Sequence, residues 1–90
     1  MAPRRYRIEF APAADRGFRA LAEDVRRRLR PGIDALSEKP RPHGVESLAG
    51  EKGIYRIRAG DYRITYQIRD NALVVLIVRI GHRREVYRKA

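Results

Sequence analysis

The sequence predicts an α+β domain in which an N-terminal strand and a helical hairpin pack on a small antiparallel sheet, in the order β-α-α-β-β-β. Two periodicities predict this class. Apolar residues recur every three or four positions between residues 14 and 36, and every second position between residues 55 and 69. A chain of 90 residues can build one modest hydrophobic core, so we expect a single domain over residues 1–90.

The first half of the chain contains the predicted strand and hairpin. Residues 6–10 alternate between apolar and polar types, as a short strand does. Pro12 suits the first turn of a helix, where its missing N–H costs nothing, and the acidic residues 23–24 suit the positive start of a second helix. The apolar period continues past the Pro-Gly pair at residues 31–32, so we expect a kinked or restarted helix there, not a loop.

The second half is predicted to be a loop followed by a meander of three strands. Residues 39–44 contain two prolines and end the helical region, and the loop runs to about Gly53 with Leu48 as its anchor in the core. Residues 73–80 are nearly all apolar, as in a strand that is covered on both faces. The strands are predicted at residues 55–58, 62–69 and 73–80, with turns at residues 59–61 and 70–71.

The composition indicates a polyanionic partner. Lys and Arg number 21 against 11 Asp and Glu, which gives a net charge of +10. An excess of this size favours nucleic acid or ribosome as partner, the alternative being a merely solubilising surface. The absence of cysteine excludes disulfides and zinc-thiolate sites. The chain shows neither a secretory signal nor an apolar run of membrane-spanning length, so we expect a cytoplasmic protein without a cofactor, a metal or a membrane partner.

Arginines follow the strand alternation in the second half. Arg56 and Arg58 are two positions apart and therefore share one face of their strand, while Ile57 faces the core. If Arg63 on the next strand faces the same way, three guanidinium groups converge, and residues 81–84 could close this patch from the side. An arginine-lined sheet with tyrosine at its margin suits RNA, because guanidinium groups hold phosphates and aromatic rings stack on bases. The alternative is an ordinary solvated face.

Two motifs give the chain a family resemblance. Residues 55–68 read YRIRAGDYRITYQI and residues 80–88 read IGHRREVYR. Together they resemble the RelE/ParE superfamily of type II toxin–antitoxin systems, and the second motif is most similar to the RelE branch. The resemblance covers nearly the whole chain. It implies a RelE-like microbial ribonuclease-type fold and a ribosome-dependent endoribonuclease that cuts mRNA in the A site by attack of a ribose 2′-OH on the adjacent phosphate.

The resemblance also implies a set of site residues. It assigns catalytic positions to Arg56, Arg58, Arg63, Arg83 and Tyr87, with substrate-binding positions at Arg84 and Arg88. Arg56 and Arg58 stand where the best-known members have lysines, and the turn before Tyr87 is shorter than theirs. Because the pKa of arginine lies above about 12, a separate proton acceptor is needed. His82, or Glu46 at the place of a catalytic glutamate in YoeB-type toxins, could supply it, although either could be an ordinary loop or turn residue.

The family resemblance leaves three functions open. They are the ribosome-dependent mRNA interferase, a ParE-type inhibitor of DNA gyrase, and a catalytically silent binding or corepressor protein. Each implies an acidic, RelB-like antitoxin as partner, and the net charge of +10 gives a physical reason for its fast capture. The interferase adds mRNA and the ribosome as partners, and operator DNA would be reached only through the antitoxin.

Overall fold

The computed structural model describes residues 5–48 and 53–82, which form two helices and one five-stranded sheet. In chain order the elements are β1 (Arg7–Phe10), α1 (Pro12–Ala20), α2 (Glu23–Ala35), β2 (Glu46–Ser47), β3 (Ile54–Ala59), β4 (Tyr62–Arg69) and β5 (Val74–His82). The predicted α+β class and the order of its elements are confirmed. The one addition is β2, a two-residue strand within the segment predicted as loop.

The sheet has the strand order β1-β5-β4-β3-β2. Strands β2 to β5 form an antiparallel meander, whereas β1 pairs with β5 in parallel. A parallel pair needs a long connection, and the helical hairpin with the rest of the meander provides it. One irregularity interrupts the β4–β5 ladder. Tyr66 pairs with Ile77 but Thr65 pairs with Arg79, so Val78 is an extra, bulged residue on β5.

The helices begin at the predicted residues, and α2 ends at Ala35, four residues before the predicted end of the helical region. Pro12 occupies the first turn of α1, and α2 starts with its two acidic residues, where they face the positive end of the helix dipole. Helix α2 continues through Pro31, so the prediction of a helix and not a loop is confirmed, although the helix does not restart there. Pro31 is exposed, which leaves the unpaired carbonyl of Arg27 within reach of water.

Both helices pack on one face of the sheet. Their buried residues join the inward residues of β4 and β5 in a single core, which consists of Ala14, Phe18, Leu29, Ile33, Leu36, Ile64, Tyr66, Ile68, Val75 and Ile77. Within residues 5–48 and 53–82, no helix covers the opposite face. The prediction that β5 is covered on both faces is therefore wrong, because Leu76 and Val78 are only partly buried and Arg79 is exposed. We call this uncovered surface the open face.

The anchor of the long loop also differs from the prediction. Val45 packs against the core, whereas Leu48 is half-buried and is not among the residues that pack on it. The backbone N–H of Leu48 instead donates to the carbonyl of Ile54 at 3.0 Å, which holds the end of β2 against β3. The hydroxyl of the fully buried Tyr66 donates to the carbonyl of Pro40 at 2.7 Å and ties the start of the loop to the sheet.

Candidate nucleic-acid interface

Strand alternation directs arginine side chains to the open face. On β3, Ile57 points to the core and Arg56 and Arg58 point away from it. Arg58 lies directly opposite Arg63 of β4, so these side chains share the face. The predicted convergence of the three arginines on one face is therefore present. Like charges directly opposite each other on a sheet are destabilising, so this pairing lowers stability and concentrates positive potential.

One row of residues crosses four strands of the open face in register. Glu46 of β2 pairs with Arg56 of β3, Arg56 pairs with Thr65 of β4, and Thr65 pairs with Arg79 of β5. Neighbouring strands lie about 4.8 Å apart, so the row spans about 14 Å from Glu46 to Arg79. We call it the cross-sheet row. It has a carboxylate at one end, a guanidinium group at the other, and the short side chain of Thr65 between two arginines.

An ion pair joins the first two members of the cross-sheet row. The Nε and Nη2 atoms of Arg56 donate to Oε1 of Glu46 at 3.1 and 3.0 Å. The Glu46 side chain is 63% exposed and that of Arg56 is 30% exposed. The second carboxylate oxygen of Glu46 makes no other hydrogen bond within the described residues. A ligand on the open face can therefore reach both the carboxylate and the guanidinium group.

Charge is balanced differently on the two sides of the molecule. Three of the six arginines on α1 and α2 pair with carboxylates one turn away, in Arg19–Asp15, Arg27–Glu23 and Arg28–Asp24, and these two helices carry four acidic residues in all. Among the described residues, the open face carries six arginines and two glutamates, which are Arg7, Glu9, Glu46, Arg56, Arg58, Arg63, Arg69 and Arg79. Arg58 and Arg79 form no ion pair or side-chain hydrogen bond in the described part of the chain. Uncompensated positive charge is therefore concentrated on the sheet.

A polar cluster holds the long loop that leads into β2. Arg41 donates from Nη2 to Oδ2 of Asp70 at 2.9 Å and from Nε to the Tyr55 hydroxyl at 3.2 Å. The Tyr6 hydroxyl donates to Oδ1 of Asp70 at 2.6 Å. The hydrogen bonds from Arg41 and then Tyr6 lower the pKa of Asp70, and the bond to Asp70 raises the pKa of Tyr6. This cluster fixes the loop five residues before Glu46.

Comparison with known proteins identifies the family. A model of the ParE toxin of the type II toxin–antitoxin system parDE matches residues 8–87. The mRNA interferase toxin RelE of Escherichia coli strain K12 is 33% identical over 89 residues, which cover 94% of this chain and 93% of that protein. The chain belongs to the RelE/ParE superfamily of toxins. The resemblance in the two sequence motifs is thereby confirmed.

Solved structures of the superfamily share the fold. The isolated E. coli RelE toxin superposes with a TM-score of 0.77 at 31% identity and covers 93% of each chain. The toxin in the intact E. coli RelBE toxin–antitoxin complex superposes with a TM-score of 0.75 at 30% identity, over 86% of this chain and 95% of that one. The α+β arrangement described above is thus that of RelE.

The structure brings together some of the residues that the RelE resemblance assigns to the site. Glu46, Arg56, Arg58 and Arg63 share the open face. His82 does not: it pairs with Tyr62 on the helix side, where the two rings meet edge to face with their centroids 5.0 Å apart. The remaining assigned residues lie outside the described part of the chain, and they are Arg83, Arg84, Tyr87 and Arg88.

Arg79 was missed by the sequence analysis. If β4 and β5 paired regularly from the turn that joins them, Arg79 would lie opposite Ile64 and face the helices. The bulge at Val78 shifts the register by one residue and turns Arg79 outward. The single arginine inside an otherwise apolar run was the available signal, because a charged side chain in such a strand must find solvent or a partner.

The described residues form neither a metal-ion site nor a membrane-spanning helix. Within residues 5–48 and 53–82, no group of three His, Asp or Glu side chains is arranged to hold a metal ion. No helix formed by these residues is long and apolar enough to cross a membrane.

Proposed function

We propose that this chain is the toxin of a type II toxin–antitoxin pair and an endoribonuclease that cleaves mRNA in the A site of the ribosome. The observation that carries the proposal is the open face, where Arg58 and Arg63 lie beside an accessible Glu46–Arg56 ion pair. Its 33% identical relative is the mRNA interferase toxin RelE, which supports the same reaction class here.

The reaction is a transfer of the phosphate within the RNA strand. The ribose 2′-oxygen attacks the adjacent phosphorus, the bond from phosphorus to the 5′-oxygen breaks, and a 2′,3′-cyclic phosphate and a 5′-OH result. Negative charge grows on the phosphoryl oxygens in the transition state. Arg56, Arg58 and Arg63 stabilise that charge, an electrostatic contribution that is usually the largest in catalysis.

Glu46 acts as the general base in this scheme. It takes the proton of the 2′-OH, and the departing 5′-oxygen takes up a proton from solvent. A carboxylate is ionised at neutral pH and can accept a proton, which a guanidinium group cannot do. Arg56 orients the carboxylate through two hydrogen bonds to Oε1, and Oε2 is left for the substrate. His82 has no part in this scheme, because its ring packs against Tyr62 on the other side of the sheet.

The family resemblance adds residues from the tail. Arg83 and Tyr87 are proposed to complete the catalytic site, with Arg84 and Arg88 in substrate binding. Arg83 follows directly after His82 in the chain and is two residues beyond Gly81, which pairs with Arg63. This proposal depends on the resemblance alone.

The proposed partner in the cell is an acidic, RelB-like antitoxin. The related E. coli toxin was solved in the RelBE toxin–antitoxin complex. An acidic segment that covers the open face would neutralise its arginines and block RNA at the same time. The toxin would act in the cytoplasm, where mRNA and ribosomes are, and would reach operator DNA only through the antitoxin.

Primer extension on mRNA from induced cells tests the proposal. Cuts that are phased with codons and need ribosomes are expected. Replacement of Arg63 by Ala should slow cleavage about 10²–10³-fold, because a preorganised charge at the phosphoryl oxygens is lost. Glu46→Gln should slow cleavage about 10²–10⁴-fold, because the proposed proton acceptor is lost. Arg16→Ala, a charge loss on the exposed side of α1, is the control and should cleave normally.

A second candidate is inhibition of DNA gyrase, favoured by the match of the ParE toxin model to residues 8–87. It predicts uncut mRNA, a DNA-damage response on induction, and inhibition of purified gyrase in a supercoiling assay. Uncut mRNA together with inhibited supercoiling would reject the endoribonuclease and support this reading. Cut mRNA with normal supercoiling would do the reverse. A chain with neither activity would be the silent binding or corepressor protein.

A further inference from the structure

We propose that Arg79 binds the phosphate of a nucleotide next to the cleaved linkage, so that the RNA strand crosses the sheet from β3 over Thr65 to β5. The inference rests on the proposed ribonuclease function and extends it, because it gives the path of the substrate and a binding residue beyond the catalytic set. It starts from the bulge in β5.

The bulge at Val78 determines which way Arg79 points. The first half of β5 pairs with β4 so that Val75 and Ile77 enter the core. With unbroken pairing the next core-facing position would be Arg79, a charged residue among buried aliphatic side chains. The extra residue reverses the alternation, so Arg79 faces outward and Ile80 packs on the core. Bulges that redirect a side chain in this way are frequent next to functional sites.

The environment of Arg79 suits an anion from outside the chain. Its side chain is exposed and has no ion pair or hydrogen bond in residues 5–48 and 53–82. By contrast, Arg7 and Arg56 on the same face each pair with a glutamate, at 2.8 and 3.0 Å. A guanidinium group that keeps all its donors available can bind a phosphate through two parallel hydrogen bonds.

The cross-sheet row separates Arg79 from the proposed chemistry. Two strand spacings, about 10 Å, lie between the backbones of Arg56 and Arg79, and about 14 Å separates those of Glu46 and Arg79. Thr65 lies between the two arginines, and because its side chain is short, it leaves space above the middle of the cross-sheet row. Arg56 is therefore placed for the phosphate that reacts beside Glu46, and Arg79 for a neighbouring phosphate along the strand. Arg79 binds substrate without contacting the reacting atoms.

Binding of a short, single-stranded, 2′-O-methylated RNA to the full chain tests this assignment, since the methyl groups prevent cleavage. We expect Arg79→Ala to weaken binding about tenfold. Loss of one phosphate contact should also reduce the slope of log K against log salt by about 0.7. Arg16→Ala removes the same charge from the helix side and should leave the slope unchanged. Arg79→Lys keeps the charge and should recover most of the salt slope. An Arg79→Ala slope equal to that of the parent would overturn the proposal.

Neutral methylphosphonates, placed one at a time in the same RNA, locate the contact. A methylphosphonate at one position beside the reactive linkage should weaken RNA binding by the parent chain. It should have no further effect on RNA binding by Arg79→Ala, because that variant has already lost the contact. If every position weakens both proteins equally, Arg79 contacts no phosphate and the inference is wrong.

Cleavage kinetics on programmed ribosomes separate this inference from the proposed function. Arg79→Ala should raise KM about tenfold with kcat nearly unchanged, whereas Arg63→Ala should lower kcat. A fall in kcat with KM unchanged for Arg79→Ala would place it in the chemistry and contradict the inference. If the parent chain fails to cut at all, the proposed function fails, and the salt slope still decides whether Arg79 binds RNA.

Discussion

Replacement of Tyr66 by Phe isolates one buried hydrogen bond between the sheet and the long loop. Tyr66 is 0% exposed, and its hydroxyl donates to the Pro40 carbonyl at 2.7 Å. Phenylalanine keeps the ring in the core and removes only the hydroxyl. The net value of such a bond is about 1 kcal/mol, and a carbonyl left without a donor adds to the cost. Pro40 is half-buried, so water can compensate in part. We expect the free energy of unfolding to fall by about 1–2 kcal/mol.

Urea unfolding followed by far-ultraviolet circular dichroism measures this loss. The midpoint should fall while the slope with urea stays constant, since the surface exposed on unfolding hardly changes. The melting temperature should drop by about 4–16 °C for a chain of this size. Tyr55→Phe is the matched control. Its hydroxyl accepts a hydrogen bond from the exposed side chain of Arg41 at 3.2 Å, so we expect a loss below about 0.5 kcal/mol. Equal stability of Tyr66→Phe and the parent, or a larger loss in Tyr55→Phe, would refute the reasoning.

The difference in stability between the parent and Tyr66→Phe should depend on pH. Burial raises the pKa of Tyr66 to about 12, whereas an unfolded tyrosine titrates near 10. The unfolded chain therefore loses this proton first as the pH rises. The stability that the protonated hydroxyl contributes is complete below pH 10 and is lost between about 10 and 12. The advantage of the parent over Tyr66→Phe should shrink across that window. An advantage that stays constant to about pH 12 would contradict the burial of the hydroxyl.

Two further predictions concern the loop cluster and the backbone. The pKa of Asp70 is lowered, chiefly by hydrogen bonds from Arg41. The ionised carboxylate therefore stabilises the folded protein at pH values above the pKa of an unfolded aspartate, about 4, and this stabilisation is lost as the pH falls through the lowered pKa. Asp70→Asn should thus be less stable than the parent at neutral pH and equal to it in strong acid, and a stability difference that persists in strong acid would reject this. Gly32 in α2 has open space at its Cβ position, whereas Gly60 has a φ of +62°. Gly32→Ala should raise the free energy of unfolding by about 0.5–1 kcal/mol and Gly60→Ala should lower it by about 1 kcal/mol. The urea midpoints should move in the same directions, and the reverse order would exclude this account.

Much of the fold could be predicted because local signals and tertiary packing agree. Pro12 and the acidic pair at residues 23–24 fixed the starts of both helices, and the alternation of residues 62–69 matched β4 to the residue. Helix α2 continues through Pro31 because its apolar stripe is unbroken: Leu29 and Ile33 stay in the core on either side of the proline.

The errors arose where one strand pattern fits two arrangements. An apolar run does not reveal how many faces of a strand are covered, so β5 was predicted to be buried on both. Nor does the sequence show the bulge, because the side-chain period of two holds equally well before and after Val78. The prediction of Leu48 as the loop anchor was wrong for a similar reason. Val45 and Leu48 are both apolar, and only the pairing of β2 with β3 determines which of them reaches the core.

The described residues give the two sides of the molecule unequal net charge: +4 on the open face, from six arginines and two glutamates, and +2 on α1 and α2, from six arginines and four acidic residues. The three ion pairs on α1 and α2 nearly cancel at a distance, whereas Arg58 and Arg79 add to the excess of positive charge on the open face. A polyanion within about 10 Å, the screening length at 0.1 M salt, exerts a torque that turns the open face toward it before contact. Orientation during diffusion would then raise the association rate with RNA or with an acidic partner, and added salt would slow both encounters alike.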